Sequence, residues 1–155
     1  MNNDLELTDI NKIVDDFMYS YMSHIADTNH SATGNLALNQ RKIIKWDGRY
    51  FSISLQLEDY WKYLEYGTKP HFPPISAIRE WIRVKPVLPR PYNGKLPTEN
   101  QLAYMIANKI SRVGTPATHL LENTINDFQL ESKIYNALET AFAKQAERIA
   151  SETLN

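Results

Sequence analysis

The sequence predicts an α+β fold in which helices cover one face of a small antiparallel sheet. Three observations carry this. Ile10, Ile13, Val14, Phe17, Met18, Tyr21, Met22 and Ile25 recur at the 3,4 spacing of an amphipathic helix. From Arg41 the period drops to two, with Phe51, Ile53, Leu55 and Leu57 alternating with Ser52, Ser54 and Gln56 after an Asp47-Gly48 pair. Beyond Thr98 the helical spacing returns and continues almost to the end of the chain.

In order, Thr8 is the expected N-cap of the first helix, with Asp9 adding favourable negative charge to its first turn. The segment DTNHSATGN that follows is a loop by composition. His24 and His30 flank it without an acidic or histidine partner at ligand spacing, so ordinary surface or capping roles outweigh a metal role. The hairpin spans about 41–57, and Asp47-Gly48 is expected at the centre of a primed turn, where both residues must tolerate positive φ. Two strands alone are marginal, so at least one more is expected, from Leu36 and Leu38 or from another subunit.

Tyr60, Trp61, Tyr63, Leu64 and Tyr66 form an aromatic segment that a solvated linker would not carry, and it is expected in a core or an interface. Gly67, Pro70, Pro73 and Pro74 end it. A short helix follows from Pro74, with Ile75, Ile78, Trp81 and Ile82 on one stripe and Arg79, Glu80 and Arg83 outside it. The stretch KPVLPRPYNGKLP is an irregular, semi-rigid excursion. Thr98 and Gln101 have capping-box spacing and open a helix carrying Leu102, Met105, Ile106, Ile110 and Val113, stopped by Gly114. Leu120, Leu121, Ile125 and Phe128 and then Ile134, Leu138, Ala141, Phe142, Gln145 and Ile149 give one broken or two consecutive helices, the last with a narrow apolar seam.

A length of 155 residues suits one domain, read as 1–128 with a helical extension over 129–155. There are no cysteines, so disulfides, thiolate zinc sites and cysteine nucleophiles are excluded. No run approaches a membrane span and the N-terminus does not read as a signal peptide, so an intracellular protein, without a membrane partner, is expected. The net charge of −1 hides an asymmetry: residues 1–30 sum to −5, whereas residues 69–95 sum to +5. Solvated faces are the default explanation, and two complementary surfaces the sharper one. Lys69, Arg79, Arg83, Lys85, Arg90 and Lys95 are accordingly the candidate interface or channel-facing cations.

No nucleophile elbow, phosphate loop, zinc helix or calcium loop is present. Glu58, Asp59, Glu65 and His71 are the best candidates for an ion site, but solvated charges and local caps explain them more simply, as a first-turn position does His119. The expectation is therefore no enzyme, no catalytic or metal residues and no cofactor.

The succession of TGNL at 33–36, a hairpin, YWKYLEYGT at 60–68, a Pro-containing turn, AIREWI at 77–82 and RVGTPATHLL at 112–121 resembles the tail-completion or neck proteins of tailed bacteriophages. The motif residues are Tyr60, Trp61, Tyr63, Glu65, Gly67, Thr68, Trp81, Gly114 and Thr115. The chain departs from that pattern where the second Gly-Thr leads into Ala117-Thr118-His119 and where the helical extension lengthens after Phe128. The resemblance implies a structural virion protein, assembled in the host cytoplasm into a homo-oligomeric ring of the neck. Its implied partners are the portal or adaptor protein and the tail tube or other tail proteins, with non-specific proximity to packaged DNA. The alternative is a soluble interaction module whose basic Pro-rich loop binds nucleic acid or an acidic partner.

Overall fold

The computed structural model describes residues 7–27, 40–57, 59, 61–85, 87–91 and 93–153. The fold is α+β. Its elements in chain order are α1 (Thr8–Asp27), β1 (Arg41–Trp46), β2 (Phe51–Gln56), α2 (Trp61–Tyr66), α3 (Ile75–Val84), α4 (Glu99–Val113), α5 (Leu120–Phe128) and α6 (Leu130–Thr153). They fall into two compact units. One takes the described residues of Met1–His24, Asn39–Leu57 and Leu120–Asn155, the other those of Ile25–Leu38 and Glu58–His119. The boundary expected at residue 128 lies inside the first unit.

In the first unit the apolar stripe of α1 forms the core: Ile10, Val14, Phe17 and Tyr21 are at most 2% exposed. Ile10 and Val14 pack with Ile134 of α6, and around them lie Ile44, Phe51, Ile53 and Leu55 from the inner face of the hairpin. Phe17 meets Phe128 edge-on at 5.7 Å, and Trp46 meets Phe142 at 5.3 Å. Lys42 also points inward, and its stem reaches over the sheet so that Nζ donates to the Asn11 carbonyl at 3.0 Å and pairs with Asp15. Thr8 is the first residue within α1 rather than its cap, and the Leu7 carbonyl accepts from the Asn11 N–H at 2.8 Å.

Among the described residues the sheet has two antiparallel strands, from Arg41 opposite Gln56 to Trp46 opposite Phe51. Leu36 and Leu38, expected to begin a third, lie outside the described residues. The hairpin turn is centred one residue later than expected, on Gly48 and Arg49. Gly48 has φ +89° and Arg49 keeps a negative φ, so only the first central position needs glycine. Asp47 instead supplies its carboxylate, which accepts from the N–H groups of Arg49 at 2.9 Å and Tyr50 at 2.7 Å.

The long helical C-terminus is two helices. Gln129, at φ +55°, separates α5 from α6, and its N–H turns back to the Asn126 carbonyl. The apolar seam of α6 is used unevenly. Ile134 and Ala141 are buried and Leu138 half-buried, whereas from Ala143 to Thr153 every residue but Gln145 is exposed.

In the second unit, α3 lies along α4. Ala103 and Ala107 are the fully buried residues of α4, both 0% exposed. Met105 and Val113, expected on the buried stripe, are more than half exposed. The capping box is present as expected: Gln101 N–H donates to Thr98 Oγ1 at 3.3 Å, and Thr98 N–H donates to Gln101 Oε1 at 2.9 Å. Pro74 is the N-cap of α3 rather than part of its first turn.

Candidate functional site

Within the second unit, the two Gly-Thr pairs of the sequence lie against each other. Thr68 and Thr115 form an isolated antiparallel bridge. Thr68 N–H donates to the Thr115 carbonyl at 3.1 Å and Thr115 N–H to the Thr68 carbonyl at 3.3 Å. The two hydroxyls meet at 2.9 Å, and Thr115 N–H also reaches Thr68 Oγ1 at 3.1 Å. Both glycines have positive φ, +70° at Gly67 and +71° at Gly114. A Cβ on Gly67 would collide with the Thr115 carbonyl oxygen and lie 2.8 Å from Ala117 N; one on Gly114 would collide with the Thr68 carbonyl oxygen. Each glycine is thus required by the opposite strand of the bridge as well as by its own backbone.

The segment after the second pair closes α2. A helix leaves its last carbonyls without intrahelical donors. Here Thr118 donates to the Leu64 carbonyl through N–H at 2.9 Å and Oγ1 at 2.7 Å, and His119 N–H donates to the Glu65 carbonyl at 3.2 Å. His119 sits at φ +49°, just before α5 rather than in its first turn. Its imidazole and the buried Glu65 carboxylate lie within 4.8 Å. Sequence reasoning missed this pairing; Gly-Thr twice in one chain was the available signal.

The aromatic segment differs from expectation. Leu64 and Glu65 are the buried residues of α2, while Tyr63 and Tyr66 are 56% and 67% exposed, with Trp61 lying 6.0 Å from the Tyr66 ring. A six-residue helix turns only one side inward, and that side is the one tied to residues 118 and 119. Tyr60 lies outside the described residues. Trp81 is half exposed at 37% and α3 has no fully buried residue.

The six candidate cations do not form one free set. Arg79 Nε donates to Glu99 Oε1 at 2.8 Å, and Arg83 reaches both Glu99 oxygens, Nε to Oε2 at 3.1 Å and Nη2 to Oε1 at 2.9 Å. Glu99 opens α4, and packing of α3 alongside brings it to both guanidinium groups. Its carboxyl is held below the ordinary carboxylate range, first by the Arg83 hydrogen bond and then by that of Arg79; Arg83 is correspondingly raised. Lys85 is buried. Lys69, Arg90 and Lys95 remain exposed.

Of the ion-site candidates, Asp59 and His71 are both exposed, and His71 Nδ1 lies 2.9 Å from the Lys69 carbonyl. Neither joins Glu65 at ligand spacing among the described residues. Glu58 is outside them. Comparison with protein-family models, curated proteins and solved structures finds no match to this chain.

Proposed function

We propose that the chain is a structural protein of the head-to-tail junction of a tailed bacteriophage, a ring component that joins the portal or its adaptor to the tail. The observation that supports this reading is the clasp. The motif pieces that carry the resemblance, Glu65-Tyr66-Gly67-Thr68 and Gly114-Thr115, are 47 residues apart and interlock through backbone and hydroxyl groups. They act as scaffold, holding α2 and the exposed rings of Tyr63 and Tyr66 in place. Rings arise when two different patches of one protomer meet heterologously and the rotation closes.

The test is electron microscopy of virions made without this gene product, where separate capsids and tails or leaking filled heads are expected. Mature particles devoid of the polypeptide, or purified chain that turns over a substrate, would end the proposal. The reading as an interaction module draws on one feature: Leu88 is 91% exposed beside the exposed Arg90, on the Pro-rich excursion that also displays Lys95. Strong salt-dependent DNA binding by a chain that stays monomeric would favour it.

A further inference from the structure

The outer side of α4 is an apolar strip bordered by cations. Tyr104, Met105 and Val113 are 55%, 51% and 66% exposed, and Lys109 and Arg112 stand among them at helical spacing. Among the described residues neither cation has an ion-pair partner, in contrast to Arg79 and Arg83. The clasp extends the strip sideways. Thr68 is fixed at Thr115, and four residues on the Phe72 ring lies 6.2 Å from Tyr104, so the segment carrying Lys69 runs alongside α4. Residues 58–119 together hold nine bases against five acids.

A surface with methionine, tyrosine and valine at its centre and arginine and lysine among them has the composition of a protein interface more than of a phosphate track. The complementary surface is present on the same chain. The outer arc of α1 displays Asp9, Asp15, Asp16 and Asp27 against Lys12 alone, around Tyr19, which is 76% exposed. Asp15 is engaged by Lys42; among the described residues Asp9, Asp16 and Asp27 have no ion-pair partner.

We infer that the α4 strip receives the outer face of α1 from a second copy of this chain, Tyr19 meeting the apolar centre and the aspartates meeting Lys109 and Arg112. The assignment rests on the ring reading above and names its contact. It also moves the basic partner surface from the cations of residues 69–95, of which Arg79 and Arg83 are paired with Glu99, to α4. The two faces differ, so the contact is heterologous and leaves each copy a free face for the next.

The experiment is light-scattering molar mass of the full chain with two paired reversals, Asp16→Lys with Asp27→Lys and Lys109→Glu with Arg112→Glu. All four side chains are exposed, and circular dichroism checks that each variant folds. Each paired variant alone is expected to weaken association roughly tenfold or more. Mixing the two variants restores it, because every contact in an alternating ring then pairs opposite charges. Assembly unchanged by either reversal, or no recovery on mixing, overturns the contact while leaving the ring reading intact. A wild-type chain that stays monomeric at high concentration and low salt overturns it too. Absence of the polypeptide from virions removes the ring reading without touching a contact measured in solution.

Discussion

Gly67 and Gly114 are exchanged for a side chain at different cost from Gly48, although all three have positive φ. At Gly48 a Cβ meets nothing within 4 Å, so Gly48→Ala adds only the left-handed backbone penalty, about 1 kcal/mol. At Gly67 and Gly114 the new atom strikes the backbone of the opposite strand, which cannot rotate away. Alanine there is expected to destabilise by about 2–4 kcal/mol. Urea unfolding of the three variants checks the order, and equal losses would remove the close-approach argument. The threonines are milder. Thr68→Val and Thr115→Val each forgo hydroxyl hydrogen bonds and are expected to cost about 1 kcal/mol. Because they share one bond, a double-mutant cycle should give less than the sum.

At the scale of elements, the junction of α3 with α4 is expected to respond to pH through Glu99. A carboxyl whose pKa is lower folded than unfolded contributes stability that is present above the unfolded value and lost as pH falls through the folded one. Glu99→Gln is therefore expected to lower the melting temperature at pH 7, with the gap to wild type closing as the pH drops below the ordinary carboxylate range. A gap that is constant with pH would show that the arginines gain nothing from the charge. Asp47 is lowered in the same direction by the N–H groups of Tyr50 and Arg49, so Asp47→Asn is the control for a second acid-sensitive carboxylate. The capping box and the Gly114 stop of α4 were legible because a helix end is written in adjacent residues. So were the inner stripe of α1 and the break near Phe128. The clasp was not, because sequence spacing does not encode which of two distant Gly-Thr pairs faces the other. Nor was the pairing of Arg79 and Arg83 with Glu99, since Glu99 lies outside the charge run and joins it only through packing. The hairpin turn was misplaced by one residue because an aspartate can serve a turn with its side chain as well as with its backbone.

At the scale of the whole molecule, burial is concentrated and the ends of its longest helix differ. α6 has 24 residues, about 36 Å of helix. Its first half contributes Ile134 and Ala141 to the core, while the turns after Phe142 run with almost every side chain in solvent. Isolated helix of that length is marginal in water, so those turns depend on the anchored half for nucleation. Ile134→Ala is expected to cost about 2–4 kcal/mol, whereas Ile149→Ala, at a position 47% exposed, should stay within about 0.5 kcal/mol. Amide exchange follows the same division, since opening free energies track local burial. In the free chain, amides between Ile10 and Tyr21 should exchange only through the largest openings, whereas those beyond Phe142 should exchange by fraying, progressively faster toward Thr153. Deuterium uptake read by mass spectrometry on peptides from the two halves of α6 decides it. Equal protection along the helix would mean that the terminal turns are held by something other than the residues that hold the first half.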